Sequence, residues 1–487
     1  MQRPPEWVFE RGRILTEARK TVNCGRTHGW VVGLAVVASL LGVAGAAAAR
    51  AVPTRGDLHL LAIRAGFPDR LSSNPPTHLV GGSGALLDRL VAYYHEVSSG
   101  RLRIVPTLAT VTVTLPGVRA SYVQRPDALA RDALRAFEAG AAGAADREAL
   151  AHADAVMVFF AGAGRESHTQ GGAADDPWSN YTALVPPVPA GGQAFDQACV
   201  IAEDQVPPFS SFGVLCHEFG HLLGLPELYA PGGLPQEGIG VWGLMGQGTW
   251  VKRGAEPPHP CAWSKVRLGW VDVETIEGST RGLTLPAVER VPRVVKIPAL
   301  AQRPEEYYLL ENRARVGADR GLPGEGLLVW HVDERVTGMR TGETNVARKL
   351  LHLVEADGRS DLDRGHAAGG NRGDAGDPWS GPPPRRRRLV AGLVLAGACL
   401  VAAAVLRGVR PHALWPAVGL LAGAGALLGT AGLLHAGPVC GPRTPGMPPY
   451  DGGPGRVTIR NFSPAGPEMR FDVLIEPPSS AGFPRPH

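Results

Sequence analysis

The stretch HEFGHLLGLPELY, His217 to Tyr229, constrains this chain more than any other. It sets two histidines four residues apart with a glutamate directly after the first. On a helix, His217 and His221 lie one turn apart on the same face. The surrounding residues read as that helix. FSSFGVLCHEFGHLLG offers Ser210 or Ser211 as N-cap and Gly224 as a left-handed C-terminal turn. Two imidazoles at this spacing can share one Zn²⁺. Glu218, beside the first of them, is placed to take a proton from a water at the metal and pass it to a leaving amine. A zinc site needs a third protein ligand. Gly224 lets the chain turn sharply, and Leu225 and Pro226 then bring Glu227 round, ten residues after His217. A carboxylate oxygen is a competent zinc ligand. The bland alternative, a core histidine pair with surface glutamates, leaves two histidines and a carboxylate converging for no reason.

The bulk numbers narrow the rest. With 487 residues there is room for two or three domains. Hydrophobic residues at 44% and charged residues at 19% exclude a disordered chain. The 64 glycines and 44 prolines predict many turns, hence a loop-rich α+β body rather than a helical bundle. A net charge of +4 is too small at this length to imply a nucleic-acid partner. The six cysteines, Cys24, Cys199, Cys216, Cys261, Cys399 and Cys440, show no CxxC spacing, which argues against a structural zinc knot or a thioredoxin-like motif. Cys199, Cys216 and Cys261 leave room for one disulfide, with no pairing fixed by the sequence. Cys216 is read as facing the core rather than as blocking the metal.

Three apolar runs stand apart from the body. WVVGLAVVASLLGVAGAAAA, Trp30 to Ala49, follows a basic region with Arg3, Arg11, Arg13, Arg19, Lys20 and Arg26. It reads as an export signal, either cleaved after its small residues or kept as an anchor. LVAGLVLAGACLVAAAVL, Leu389 to Leu406, and ALWPAVGLLAGAGALLGTAGLL, Ala413 to Leu434, are separated only by RGVRPH and read as a transmembrane hairpin. The basic start favours N-terminus inside and the bulk of the chain outside. Arg407 and Arg410 then lie inside, as the charge rule prefers, whereas Arg385 to Arg388 lie outside, against it. The division expected is therefore 1–50 signal or anchor, 55–380 catalytic body, 389–434 hairpin and 441–487 extracytoplasmic tail.

Within the body, DLHLLAIRAGFPD begins as a strand closed by a Pro-Asp turn. GALLDRLVAYYHEVSSGRLRI reads as an amphipathic helix, a Ser-Gly turn and a strand, and ADAVMVFFAGAG as a buried strand. EYYLLENRAR and GEGLLVWHVDE are strand-like, and GRVTIRNFSPAGPEMRFDVLIE in the tail reads as a β-hairpin. No internal repeat is visible.

The spacing from His217 to Glu227 is the HExxHxxGxx(ligand) layout of metzincins, with Glu where many have His. Metzincins also place a methionine turn beneath the metal. EGIGVWGLMGQGTW supplies Met245 among glycines, eighteen residues after Glu227. With AWSKVRLGW, EYYLLENR, GLPGEGLLVWHVDE, LVEADGRSDL, LLAIRAGFPD and YYHEVSSGRLRI in order, the chain resembles the immune inhibitor A group of secreted bacterial metallopeptidases over roughly Leu58 to Trp379. That group often has Asp where this chain has Glu227.

The resemblance implies a metzincin-like α+β fold, a mixed twisted sheet with an active-site helix, to which the apolar runs add transmembrane helices. It implies a zinc endopeptidase acting on proteins or peptides, with Glu218 as general base and His217, His221 and Glu227 as ligands. It also suggests calcium, for which Asp357, Asp361, Asp363, Asp374 and Asp377 in Gly-rich loops are the candidate ligands. In such proteins the chain after GDAGDPWSG usually continues through a short loop into a final β segment like PGRVTIRNFSPAGPEMRFDV. Here the apolar hairpin lies between, so the expectation is a catalytic domain tethered outside a bacterial cell membrane, with the bilayer as a partner. Two rival readings keep the same residues: an inactive peptidase-like scaffold on a membrane protein, and a non-proteolytic zinc hydrolase.

Overall fold

Strands buried on both faces build the central sheet, as continuous apolar runs require. The computed structural model describes residues 51–140, 143–168, 174–229, 236–300, 303–336, 349–366, 369–381 and 457–476. β1 (Gly56–Gly66) turns Leu58, Leu60 and Ala62 to one side and Leu61, Ile63 and Ala65 to the other. After it come α1 (Leu86–Val97), β2 (Leu102–Thr114), α2 (Pro126–Gly140), α3 (Ala144–His152) and β3 (Ala155–Ala163). β4 (Asn180–Ala190), β5 (Gln193–Asp204) and α4 (Ser211–Leu222) complete this half. The strand order is β2-β1-β3-β5-β4. The first four are parallel to one another, and β4 closes the edge antiparallel to β5. α1 and α4 cover one face, and α2 and α3 cover the other.

The second half is antiparallel for the most part. α5 (Ala262–Leu268) leads into β6 (Asp272–Thr275), β7 (Thr280–Pro286), β8 (Arg293–Leu300), β9 (Arg303–Arg313) and β10 (Gly326–Asp333). β11 (Leu351–Leu353), α6 (Asp361–Arg364), β12 (Val457–Arg460) and β13 (Glu468–Ile475) follow. One sheet has the order β11-β10-β9-β8-β6, and a smaller one has β12-β13-β7. β12 and β13 pair antiparallel, as the alternation in the tail predicts, and β13 pairs in turn with β7 of the body. The fold is mixed α+β.

Two sets of expectations meet the structure differently. Cys199, Cys216 and Cys261 sit on β5, on α4 and just before α5, all buried and all free, so the disulfide their number leaves room for is not formed among them. Trp30–Ala49, Arg385–Arg388, Leu389–Leu406 and Ala413–Leu434 lie outside the described residues, as do Cys24, Cys399 and Cys440. Among the described residues no helix is long and apolar enough to cross a membrane.

A buried ionic cluster ties the two halves together. Arg313 on β9 is fully buried. Its Nε donates to Asp319 at 2.6 Å, and Nη1 donates to Glu311 at 3.2 Å and to the carbonyl of Trp242 at 3.3 Å. Glu289 lies 3.4 Å from Arg313, and Lys265 lies 3.4 Å from Glu311. Removing one member of such a cluster leaves a buried charge uncompensated. Two cations face three carboxylates here, so one carboxyl does best by keeping its proton. Burial raises the pKa of Glu289, and its hydrogen bond to Asp319 raises it further. The Asp319 carboxyl is held low: burial opposes this, but the Arg313 charge outweighs it.

The native state therefore keeps a proton on Glu289 that the unfolded chain releases above about pH 4.3, so this group's contribution to stability falls as pH rises from there. Glu289→Gln mimics the protonated form. We expect it to raise the thermal midpoint at pH 8 while leaving it nearly unchanged at pH 5. Melting curves at both pH values check this, and an equal or lower midpoint at pH 8 contradicts it.

Candidate metal centre

Helix α4 begins where Ser210 accepts a hydrogen bond from the Phe212 N–H at 3.3 Å. Its two glycines allow it to press against the loop that carries Met245. A Cβ on Gly213 would stand 2.1 Å from the Thr249 carbonyl, and one on Gly220 would stand 2.6 Å from Met245 Sδ. Met245 is 1% exposed and lies under the helix at Gly220. Its carbonyl accepts from Leu228 N–H at 2.9 Å, which pins the segment that follows the helix. Gly224 leaves the helix at φ +91°, the left-handed turn read from its position.

The backs of both imidazoles are tied down. His217 Nδ1 donates to the Leu244 carbonyl at 3.1 Å and faces the Thr249 hydroxyl at 2.8 Å. His221 Nδ1 donates to the Leu225 carbonyl at 2.8 Å. A carbonyl only accepts, so these contacts assign the proton of each neutral ring to Nδ1 and leave Nε2 bare. The two bare nitrogens are 3.1 Å apart. Glu227 completes the group, with Oε1 3.1 Å from His221 Nε2 and Oε2 3.3 Å from His217 Nε2. When the His217 and His221 rings carry a second proton, their charge holds the Glu227 carboxyl well below its usual range although burial pushes the other way. Acceptors packed face to face repel unless a proton or a cation sits among them. Two imidazole nitrogens and one carboxylate oxygen, all within 4.8 Å of one another, are a donor set that fits Zn²⁺.

Beside this group, Glu218 is 9% exposed, and its Oε2 accepts from the Tyr181 N–H at 2.6 Å. Burial pushes its pKa up to about 8. Tyr181 lies on β4, and its N–H points to the free side of that edge strand. Tyr229 donates its hydroxyl to Glu227 Oε1 at 2.7 Å, and its ring stacks on His217 with centroids 6.2 Å apart.

Residues 132–272 match a family model, the catalytic domain of the immune inhibitor A peptidases, M6. Over these residues the chain is similar to that metallopeptidase catalytic domain. No curated protein matches the chain. The matched segment of the M6 domain contains His217, Glu218, His221, Glu227 and Met245. M6 peptidases depend on zinc and cut proteins or peptides, in agreement with the donor set.

Tyr181, Thr249 and Tyr229 carry no motif of their own. Tyr229 ends the stretch that carries the ligands, yet its hydrogen bond has no spacing signature. Tyr181 and Thr249 reach the centre from a distant strand and from the turn after Met245.

Acidic side chains converge a second time beyond β11. Asp357, Asp361 and Asp374 form one group, and Asp357, Asp377 and Glu355 form another that shares a member. Four of the five aspartates expected from the sequence are thus brought together. Asp363 is not. It is two residues from Asp361 on α6, so it points the other way, and Lys349 and His352 hold it. Glu355 takes a place that was not foreseen. It sits two residues before Asp357 in VEADG, so its acidic neighbour was the available signal. Asp377 is fully buried. Its Oδ2 accepts from Trp242 Nε1 at 2.8 Å, while Oδ1 has no partner among the described residues. Burial pushes Asp377 up to about 6 and Glu355 up to about 7.

Proposed function

We propose that the chain is a membrane-tethered zinc endopeptidase in which His217, His221 and Glu227 hold the metal and Glu218 is the general base. The observation that carries this is the convergence of three bare ligand atoms with Nδ1 of both rings already engaged. Bound zinc supplies a Lewis acid that lowers the pKa of a water towards about 7.

The protein supplies the rest. The Tyr181 N–H fixes one oxygen of Glu218 and leaves the other to accept a proton from the attacking water. The same group later delivers that proton to the leaving amine. A cleft of about 490 Å³ opens beside His221, walled in part by Tyr181, Leu225, Pro226 and Trp263. The free edge of β4 runs past Glu218, so an extended peptide can add to it as a strand and present its backbone to the base.

Glu218→Ala in the full chain should lower casein cleavage by roughly 10²–10⁴-fold while zinc content stays at that of the native protein. A zinc chelator should abolish native cleavage. Equal rates for Glu218→Ala, or chelator-insensitive cleavage, would remove the mechanism.

We also propose that the second acidic group binds Ca²⁺. Hard oxygen ligands in Gly-rich loops suit that ion, and the unpartnered Asp377 Oδ1 is a buried oxygen in want of a cation. Calcium should raise the melting temperature of the native protein, by the linkage any ligand of the folded state obeys. Asp377→Asn should remove that dependence, and Asp363→Asn should keep it. A shift that persists in Asp377→Asn refutes the assignment.

The tether is supported by the three apolar runs and by the β13–β7 ladder. Paired strands share a compartment, so the chain between Gly381 and Val457 must cross a bilayer an even number of times or not at all. With two spanning runs and an exported body, the tail lies outside with the catalytic domain. A cysteine placed at Ser463 should be labelled by a membrane-impermeant maleimide in intact cells. Labelling only after lysis would overturn the exported orientation.

A further inference from the structure

We propose that Tyr229 is a positioning residue that makes Glu227 a one-oxygen ligand, holding Oε1 and leaving Oε2 for the metal. This rests on the zinc reading above. The two carboxylate oxygens differ in their surroundings. Oε1 accepts the Tyr229 hydroxyl at 2.7 Å and faces His221 Nε2 at 3.1 Å. Oε2 is buried, has no hydrogen-bond donor among the described residues and faces His217 Nε2 at 3.3 Å. A phenol on one oxygen withdraws a lone pair from it and fixes the plane of the carboxylate. The oxygen that remains uncommitted is the one turned to the first histidine.

The tyrosine is itself held. Its ring stacks on His217 at an interplanar angle of 28°, so the hydroxyl arrives from a fixed direction. The chain between them is short: Glu227, Leu228 and Tyr229 follow one another, and Leu228 is fully buried and tied to Met245. One turn therefore sets the ligand, the anchor of its backbone and the clamp on its side chain.

Side-chain length explains why a clamp is needed here. A glutamate carries one more rotatable bond than an aspartate, and an unrestrained carboxylate swings between one-oxygen and two-oxygen ligation. Fixing that extra torsion has an entropic cost that falls on metal binding unless the protein has met it beforehand. Partners that orient ligands are worth about 10–100-fold in metal affinity.

The test uses the purified full-length protein and zinc alone, with affinity read by competition against a chromophoric chelator. Tyr229→Phe keeps the ring stack and removes only the hydroxyl, and it should weaken zinc binding by about 10–100-fold. The same change made in a Glu227→Ala background should cost nothing further, because the clamp has nothing left to hold. Co²⁺-substituted Tyr229→Phe should show weaker visible absorption than native Co²⁺ protein, as the freed second oxygen raises the coordination number. A merely structural tyrosine would not move that band. Unchanged zinc affinity in Tyr229→Phe, or an equal loss in the Glu227→Ala background, overturns the inference. Native zinc affinity in Glu227→Ala overturns the ligand assignment itself.

Discussion

The arrangement depends on a repulsion that the fold holds in place. Two ring nitrogens and a carboxylate point their lone pairs at one another within about a hydrogen-bond length. They can do so because Nδ1 of each imidazole is spent on a backbone carbonyl, one from the loop carrying Met245 and one from the turn that follows the helix. Neither ring can turn away without losing that bond. Much of the surrounding structure keeps those two carbonyls in position. This is preorganisation in its physical sense, in which folding free energy holds groups in a geometry they would otherwise leave.

That hold reaches outward in steps. Gly213 and Gly220 let α4 lie directly on the Met245 loop, where any side chain would push the two apart. The helix is pressed there by the apolar face of the first sheet, through Phe212, Leu215 and Phe219. Beyond the loop, Arg313 donates to the carbonyl of Trp242, and Trp242 donates to Asp377 in the acidic group. A short run of bonds thus connects the ionic cluster, the methionine loop and the second acidic group. Trp242 stands at the junction as a side chain that packs as an apolar group and bonds at both its backbone and its ring.

Much of the centre was legible in the sequence because its candidate ligands come from one helix and the turn after it. Spacing alone fixes which face His217 and His221 share, and Gly224 declares the turn that returns Glu227. The strands were legible for a similar reason, since β3 and β9 are apolar runs bounded by turns. What escaped was whatever long-range packing decides. Tyr181 reaches Glu218 through a backbone N–H, which any residue there supplies, so no side-chain pattern could announce it. Glu355 and Asp363 changed roles because a list of nearby acids carries no direction. The helical twist of α6 separates Asp363 from Asp361, and the loop geometry lets Glu355 in. Sequence spacing is informative within a regular element and silent about where an irregular loop points.

The tail has a consequence of another kind. β13 is the central strand of the small sheet, flanked by β7 from the body and β12 from its own hairpin. Its apolar residues Met469, Phe471 and Val473 are fully buried with Leu285. During synthesis, β7 emerges long before its partner, and both apolar runs between them emerge first. Throughout that interval the nascent domain shows an open sheet edge and an uncovered apolar face, the features that promote association between unfinished chains. The last of the described strands is thus the one that closes this sheet, and the length of chain between β7 and β13 sets how long the gap stays open.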